Sequence, residues 1–163
     1  MQSEKINSEV WKLKNIISKL RNIKQLSVIK SNDSFDPDIM DNSDKYDGVY
    51  DDEFNSFLLK FRLVNCEDER HINEIERLKR NDQVTIVRKK DESYDFVILD
   101  SNGNSIGNIP QEISDAIVNL YASNNIIFDS SRINYIEPLS KRNKHARLPI
   151  VFIEIKGKVV NSE

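Results

Sequence analysis

Residues 78–110 read LKRNDQVTIVRKKDESYDFVILDSNGNSIGNIP, and the order of elements in this stretch decides the fold. Val84 and Ile86 share one face of an extended run from Gln83 to Arg88, the period-two pattern of a half-buried strand. Phe96 to Leu99 is a second run, wholly apolar. Asp100-Ser101-Asn102-Gly103-Asn104 follows, and Asn102-Gly103 marks a tight turn because both residues tolerate positive φ. Ser105 to Ile109 returns as the hairpin partner. Pro110 ends it and opens a helix, where the missing proline N–H would be unpaired in any case.

Working outward, Ile113, Ala116, Ile117, Leu120 and Tyr121 recur at i, i+3, i+4, i+7 and i+8, with Glu112 and Asp115 in the favourable first turns. Upstream, Phe57, Leu59, Phe61 and Leu63 alternate with Lys60 and Arg62, which predicts a strand with one face in the core. Ile72, Ile75 and Leu78 step by threes and suggest a short helix or helical loop. Short strands are expected over Asn125 to Phe128 and Arg132 to Ile136, with a last one over Leu148 to Lys156. Strands dominate, each is short, and one firm helix is inserted late. The fold class is therefore mainly β, a small closed or nearly closed barrel of the OB or SH3-like kind.

Before this core come two segments of opposite charge. Residues 1–30 carry seven basic residues against two acidic ones, and residues 31–53 carry nine acidic residues against Lys45 alone. Val10, Leu13, Ile16, Ile17, Leu20 and Ile23 fall on one face of an amphipathic N-terminal helix. An isolated helix of this length is marginal in water, so the stripe needs a cover. That cover is the barrel, a second copy, or another protein. Residues 31–53 read as an acidic, disordered linker. A calcium loop fails on spacing: with Gly48 at the glycine position, the first ligand is Ser43 and the closing glutamate position holds Phe54. Three regions result, with a helical segment over 1–30, a linker over 31–53, and a β domain over 54–160.

The net charge is −3 and the hydrophobic fraction 38%, enough apolar material for one modest core. No apolar run approaches the roughly 18 residues of a membrane span, and the polar start resembles no export signal, so an intracellular protein is expected. The single thiol, Cys66, fits a reducing compartment and forms no framework. Catalytic chemistry has little to stand on. The four glycines are scattered, no paired cysteines exist, and His71 and His145 lie in charged stretches without partners. A non-enzymatic protein without metal or cofactor is expected.

The stretch quoted above resembles the HIRAN domain: a strand ending in Arg88, the Tyr94-Asp95 pair, a strand, a glycine turn, and Ile106-Gly107-Asn108-Ile109-Pro110 leading into a helix. The resemblance extends over about a hundred residues, through the closing strand after Leu148-Pro149. It implies a six-stranded OB- or SH3-like barrel carrying helices, and capture of the 3′ end of single-stranded DNA. On that pattern Tyr94 would stack on a terminal base and Asp95 would accept from a 3′-hydroxyl or base donor. Arg88 would match the strand-end arginine, Asn108 the position after the glycine, and Arg62 would be the candidate for a first-strand contact. The chain departs from the pattern at Lys89-Lys90-Asp91-Glu92-Ser93, at Phe96 directly after the pair, and at Leu139.

The residues themselves support two functional classes. Arg88, Lys89 and Lys90 could hold a phosphate backbone, or form a solvated loop with Asp91 and Glu92. Tyr94 could stack a base, or pack on the rim while Asp95 caps a turn. Lys141, Arg142, Lys144 and Arg147 form a basic loop with no acid in it, a better nucleic-acid candidate. The first expectation is thus a nucleic-acid-binding module for single-stranded DNA or its 3′ end, in repair, replication or a mobile element. The alternative is a protein-interaction adaptor that oligomerises or docks through Val10, Leu13, Ile16, Ile17, Leu20 and Ile23.

Overall fold

This computed structural model describes residues 2–26, 42–66, 75–89, 94–137 and 149–161, and among them two antiparallel sheets and two α-helices enclose the core. The strands are β1 (Asp47–Asp51), β2 (Ser56–Arg62), β3 (Thr85–Arg88), β4 (Phe96–Leu99), β5 (Ser105–Asn108), β6 (Ile126–Ile136) and β7 (Val151–Val159). Helix α1 spans Gln2–Gln25 and α2 spans Gln111–Ala122. One sheet has the order β1-β2-β7-β6 and the other β3-β4-β5.

Alternation drives β2: Phe57, Leu59 and Phe61 are buried and lie in register with Gly157, Ile155 and Ile153 of β7. Lys60 and Arg62 take the opposite face, beside Glu154 and Phe152. Strand β4 buries Phe96, Val97 and Ile98 in succession, as its unbroken apolar run requires. Gly103 adopts φ +82° in the turn to β5, and Gly107 lets β5 approach residues 63–66 closely. A Cβ at Gly107 would stand 2.9 Å from both the Cys66 Sγ and the Val64 oxygen.

The barrel is not closed by a continuous ladder. Instead the sheets meet at both margins through short bridges. At one, Val64 and Asn108 exchange both backbone hydrogen bonds, at 3.0 and 2.8 Å. At the other, Asn81 N–H donates to the Ile133 carbonyl, Ile133 N–H to Asp82, and Val84 N–H to Ser131. Seven strands occur among the described residues where the resemblance implied six. The extra one is β1, which lies inside the segment expected to be a linker and pairs along β2. Residues 31–41 of that segment lie outside the described residues. Expected as two short strands, 126–136 forms one, with register shifts at Phe128/Ser130 and Ile133/Tyr135 absorbing the polar break.

The open question about α1 resolves in cis. Leu13, Ile16, Ile17 and Leu20 are buried in the chain's own core, with Val10 and Ile23 half-buried. A Cβ on Gly48 of β1 would come within 2.8 Å of the Ile17 oxygen, so only glycine admits the helix so close. Ion pairs strap the helix down: Lys14 to Asp52 at 2.6 Å, Lys19 to Glu112 of α2 at 2.6 Å, and Lys24 to Asp47 at 2.9 Å. The apolar stripe proposed for docking or self-association is therefore already covered. No described helix is long and apolar enough to cross a membrane.

Candidate functional site

The connection from β3 to β4 brings four of the expected site residues together. Arg88 lies in register with Phe96, and the Lys89 N–H donates to the Asp95 carbonyl at 2.9 Å. Tyr94 and Asp95 are thus held beside Arg88 and Lys89. Lys89 is exposed, while the other three are half-buried. Tyr94 makes no hydrogen bond or ring contact with any described residue.

Asp95 is fixed by a residue that the sequence reading missed. The Gln111 Nε2 donates to its Oδ2 at 3.0 Å and to the Asp115 Oδ1 at 2.8 Å. Gln111 is the first residue of α2, so the Asp95 carboxylate sits at the positive end of that helix. No cation among the described residues pairs with it. Arg88 carries the opposite imbalance. Its Nε is fully buried and has no hydrogen-bond acceptor, and no described acid pairs with its guanidinium.

Asn108 does not join this group as a contact. It is buried; its Nδ2 donates to the Phe96 carbonyl at 3.2 Å and its Oδ1 accepts from Asn65 at 3.1 Å. Both groups of its side chain are committed to holding β4, β5 and residue 65 together, which corrects the expectation of a ligand contact. Arg62 stands apart, on the outward face of the four-stranded sheet. Lys141, Arg142, Lys144 and Arg147, with His71 and His145, lie outside the described residues. The flanks of that basic loop are fixed, because Ile136 pairs with Val151 and the Glu137 N–H donates to Ile150.

Around Arg62 the outward sheet face holds further residues that the sequence reading did not single out. Glu154, only 5% exposed, accepts from Arg132 Nε at 3.0 Å and Nη2 at 2.7 Å, with Lys60 at 3.5 Å and Lys156 at 3.8 Å. Phe152 is covered by Tyr46 and Tyr135, and the Lys45 Nζ lies 4.4 Å over the Tyr135 ring. A glutamate within the apolar run Val151–Ile155 was the available signal. On β1 of the same sheet, burial first and the Asp52 charge second push the Tyr50 hydroxyl above its ordinary value.

With this geometry in place, the protein-family comparison is decisive: the model of the HIRAN domain matches residues 56–151. The chain belongs to the HIRAN domain family. The matched span runs from the first residue of β2 to the first residue of β7, so α1 and β1 of this HIRAN protein lie outside it although they pack on it. Among solved structures, it is similar to the crystal structure of the HIRAN domain of human HLTF. Identity is 15%, coverage 64% of this chain and 78% of that chain, and the TM-score 0.43. None of the curated proteins matches it.

Proposed function

We infer that this HIRAN protein is a nucleic-acid-binding module, not a catalyst, and that it takes the 3′ end of a single DNA strand beside Arg88, Tyr94 and Asp95. The observation that carries this reading is the unsatisfied Arg88 Nε beside the Tyr94 ring, which makes no ring contact among the described residues. A buried N–H without an acceptor is destabilising by about 1–3 kcal/mol, more on a charged group. A shift of the half-buried Arg88 side chain that brings its guanidinium onto a phosphate would relieve it, and arginine suits phosphate through its planar, multiply donating fork. The Tyr94 ring offers a stacking platform, and such contacts contribute about 1–3 kcal/mol per base without reading sequence. Asp95 would accept from a terminal hydroxyl and repel a terminal phosphate, which distinguishes a free end from a blocked one. Membership of the HIRAN family and the basic loop 141–147 support the same reading.

Fluorescence anisotropy with single-stranded DNA ending in a 3′-hydroxyl or a 3′-phosphate tests it. The hydroxyl end is expected to bind more tightly. Tyr94→Ala should weaken binding by about 5- to 150-fold, the equivalent of one lost stacking contact. Asp95→Asn should narrow the preference between ends. Equal binding of both ends, with no effect of Tyr94→Ala, would refute the reading.

A further inference from the structure

The strongest feature outside the end site is the outward face of the four-stranded sheet. Register places Arg132, Glu154 and Lys60 in one row across β6, β7 and β2. Arg62 lies two residues beyond Lys60 on that face, and Lys156 and Lys158 lie two and four residues beyond Glu154. In register on this face there are five cations against three acids, Glu154, Asp47 and Asp51. One of those acids, Asp47, is already matched by Lys24 of α1.

Glu154 is too buried to offer itself to a ligand. Its effect is to hold its cationic neighbours in fixed positions, so that they do not need to be ordered on binding. Arg132 spends its Nε and Nη2 on Glu154, leaves Nη1 outside that pair, and keeps 42% of its side chain exposed. Lys156 approaches Glu154 only to 3.8 Å and is 55% exposed. Residues two apart on a strand are about 6.6 Å apart, so β7 presents Lys156 and Lys158 as a short ladder of charge.

We propose that this face is a second nucleic-acid contact, which takes the sugar-phosphate backbone of a single strand independently of any terminus. Its chemistry is that of a phosphodiester chain, a repeating anion with no required end. It does not depend on the Arg88–Tyr94–Asp95 site, and a probe without ends separates the two.

That probe is an internally labelled, covalently closed circular single-stranded DNA, titrated by anisotropy against the full chain from about 0.05 to 0.2 M salt. The wild-type protein is expected to bind the circle. For single strands log K falls with log salt by about 0.7 per phosphate neutralised. The double variant Lys156→Gln, Lys158→Gln should therefore lower the slope by about 1.4 and the affinity at 0.1 M salt by about 25-fold. Both side chains are exposed, and an unchanged urea midpoint will show that the variant is folded. Tyr94→Ala should leave circle binding unchanged. Failure of the wild type to bind the circle, equal binding by the double variant, or loss of circle binding with Tyr94→Ala would each overturn the proposal. The contrast between hydroxyl and phosphate ends on linear DNA is read separately, so the failure of one site is not mistaken for that of the other.

Discussion

Replacing Leu13 by alanine removes three carbons from a side chain that is 0% exposed, at the centre of the stripe that joins α1 to the core. Ile16, Ile17 and Leu20 surround it on the helix, and β1 and α2 lie on either side. The site has little freedom to collapse, because Gly48 already brings β1 to backbone contact with Ile17. Leu→Ala changes at such positions are destabilising by about 3–5 kcal/mol, the transfer term plus the cavity term. Against a total stability of about 5–15 kcal/mol, that is a large fraction. With an m-value of about 2 kcal/mol/M in urea, the midpoint should fall by about 1.5–2.5 M. Trp11, two residues away and 65% exposed, is the matched control; its replacement by alanine should stay within about 0.5 kcal/mol. Urea unfolding followed by circular dichroism would read both variants. If Leu13→Ala shifts the midpoint no more than Trp11→Ala does, the helix is not part of this core. An accompanying loss of concentration-dependent mass would then return the stripe to the docking role.

Three further outcomes are expected. Gly157→Ala should be destabilising by several kcal/mol or prevent folding, since a Cβ there would collide with the Ile127 carbonyl and stand 2.6 Å from Phe57 Cζ; soluble yield and thermal melting read this. Asn108→Ala should lower stability by about 1–3 kcal/mol in urea titrations, because the Phe96 carbonyl and the Asn65 amide both lose a partner. It should leave the preference for a 3′-hydroxyl end intact in the fraction that folds. Tyr50 is held neutral in the folded state above its unfolded value of 10.0, by burial first and Asp52 second. Its contribution is therefore fully present below pH 10 and is lost as pH rises through the folded value. Urea midpoints measured from pH 8.5 to 11 should fall less steeply for Tyr50→Phe than for the wild type.

The parts of the fold that were legible are those where one strand or helix face alone meets the core. Phe57, Leu59 and Phe61 in β2, and Ile113, Ala116, Ile117 and Leu120 in α2, repeat at the period of their element and are buried as that period requires. Strand β1 was illegible because nothing local specifies it. Asp47 and Asp51 are unusual strand residues, and Gly48 is weak in any strand. Their placement makes sense only with α1 in position, where Lys24 pairs with Asp47 and Ile17 demands a residue without a side chain. The polar interruption Asp129-Ser130-Ser131 concealed the continuity of β6 for a similar reason. There the Ser131 hydroxyl donates to the Val84 carbonyl, a partner far away in sequence.

The candidate site divides along the same line. Tyr94, Asp95 and Arg88 could be named through the family resemblance, and Lys89 through the basic run that it continues. Gln111, Asn65, Arg132 and Glu154 could not, since each acts through hydrogen bonds that span strands or sheets. Asn108 entered the expected site only through the resemblance, at the position after Gly107, whereas its side-chain amide bonds inside the fold to the Phe96 carbonyl and Asn65.

The strand order β1-β2-β7-β6 has a consequence for how the molecule is made. Of the seven described strands β7 is synthesised last, yet it fills the middle of its sheet, between β2 and β6. Until it is released, Phe61 lacks Ile153 and Leu59 lacks Ile155, partners more than ninety residues away. The nascent chain must therefore carry a half-formed sheet with two open inner edges, although β1, β2 and α2, the elements that pack on α1, have already been made. Closing so long a loop comes late and slowly, and open strand edges invite pairing with other chains. Vulnerability to aggregation is thus concentrated in the interval before Val151–Val159 emerges, and not in the folded domain.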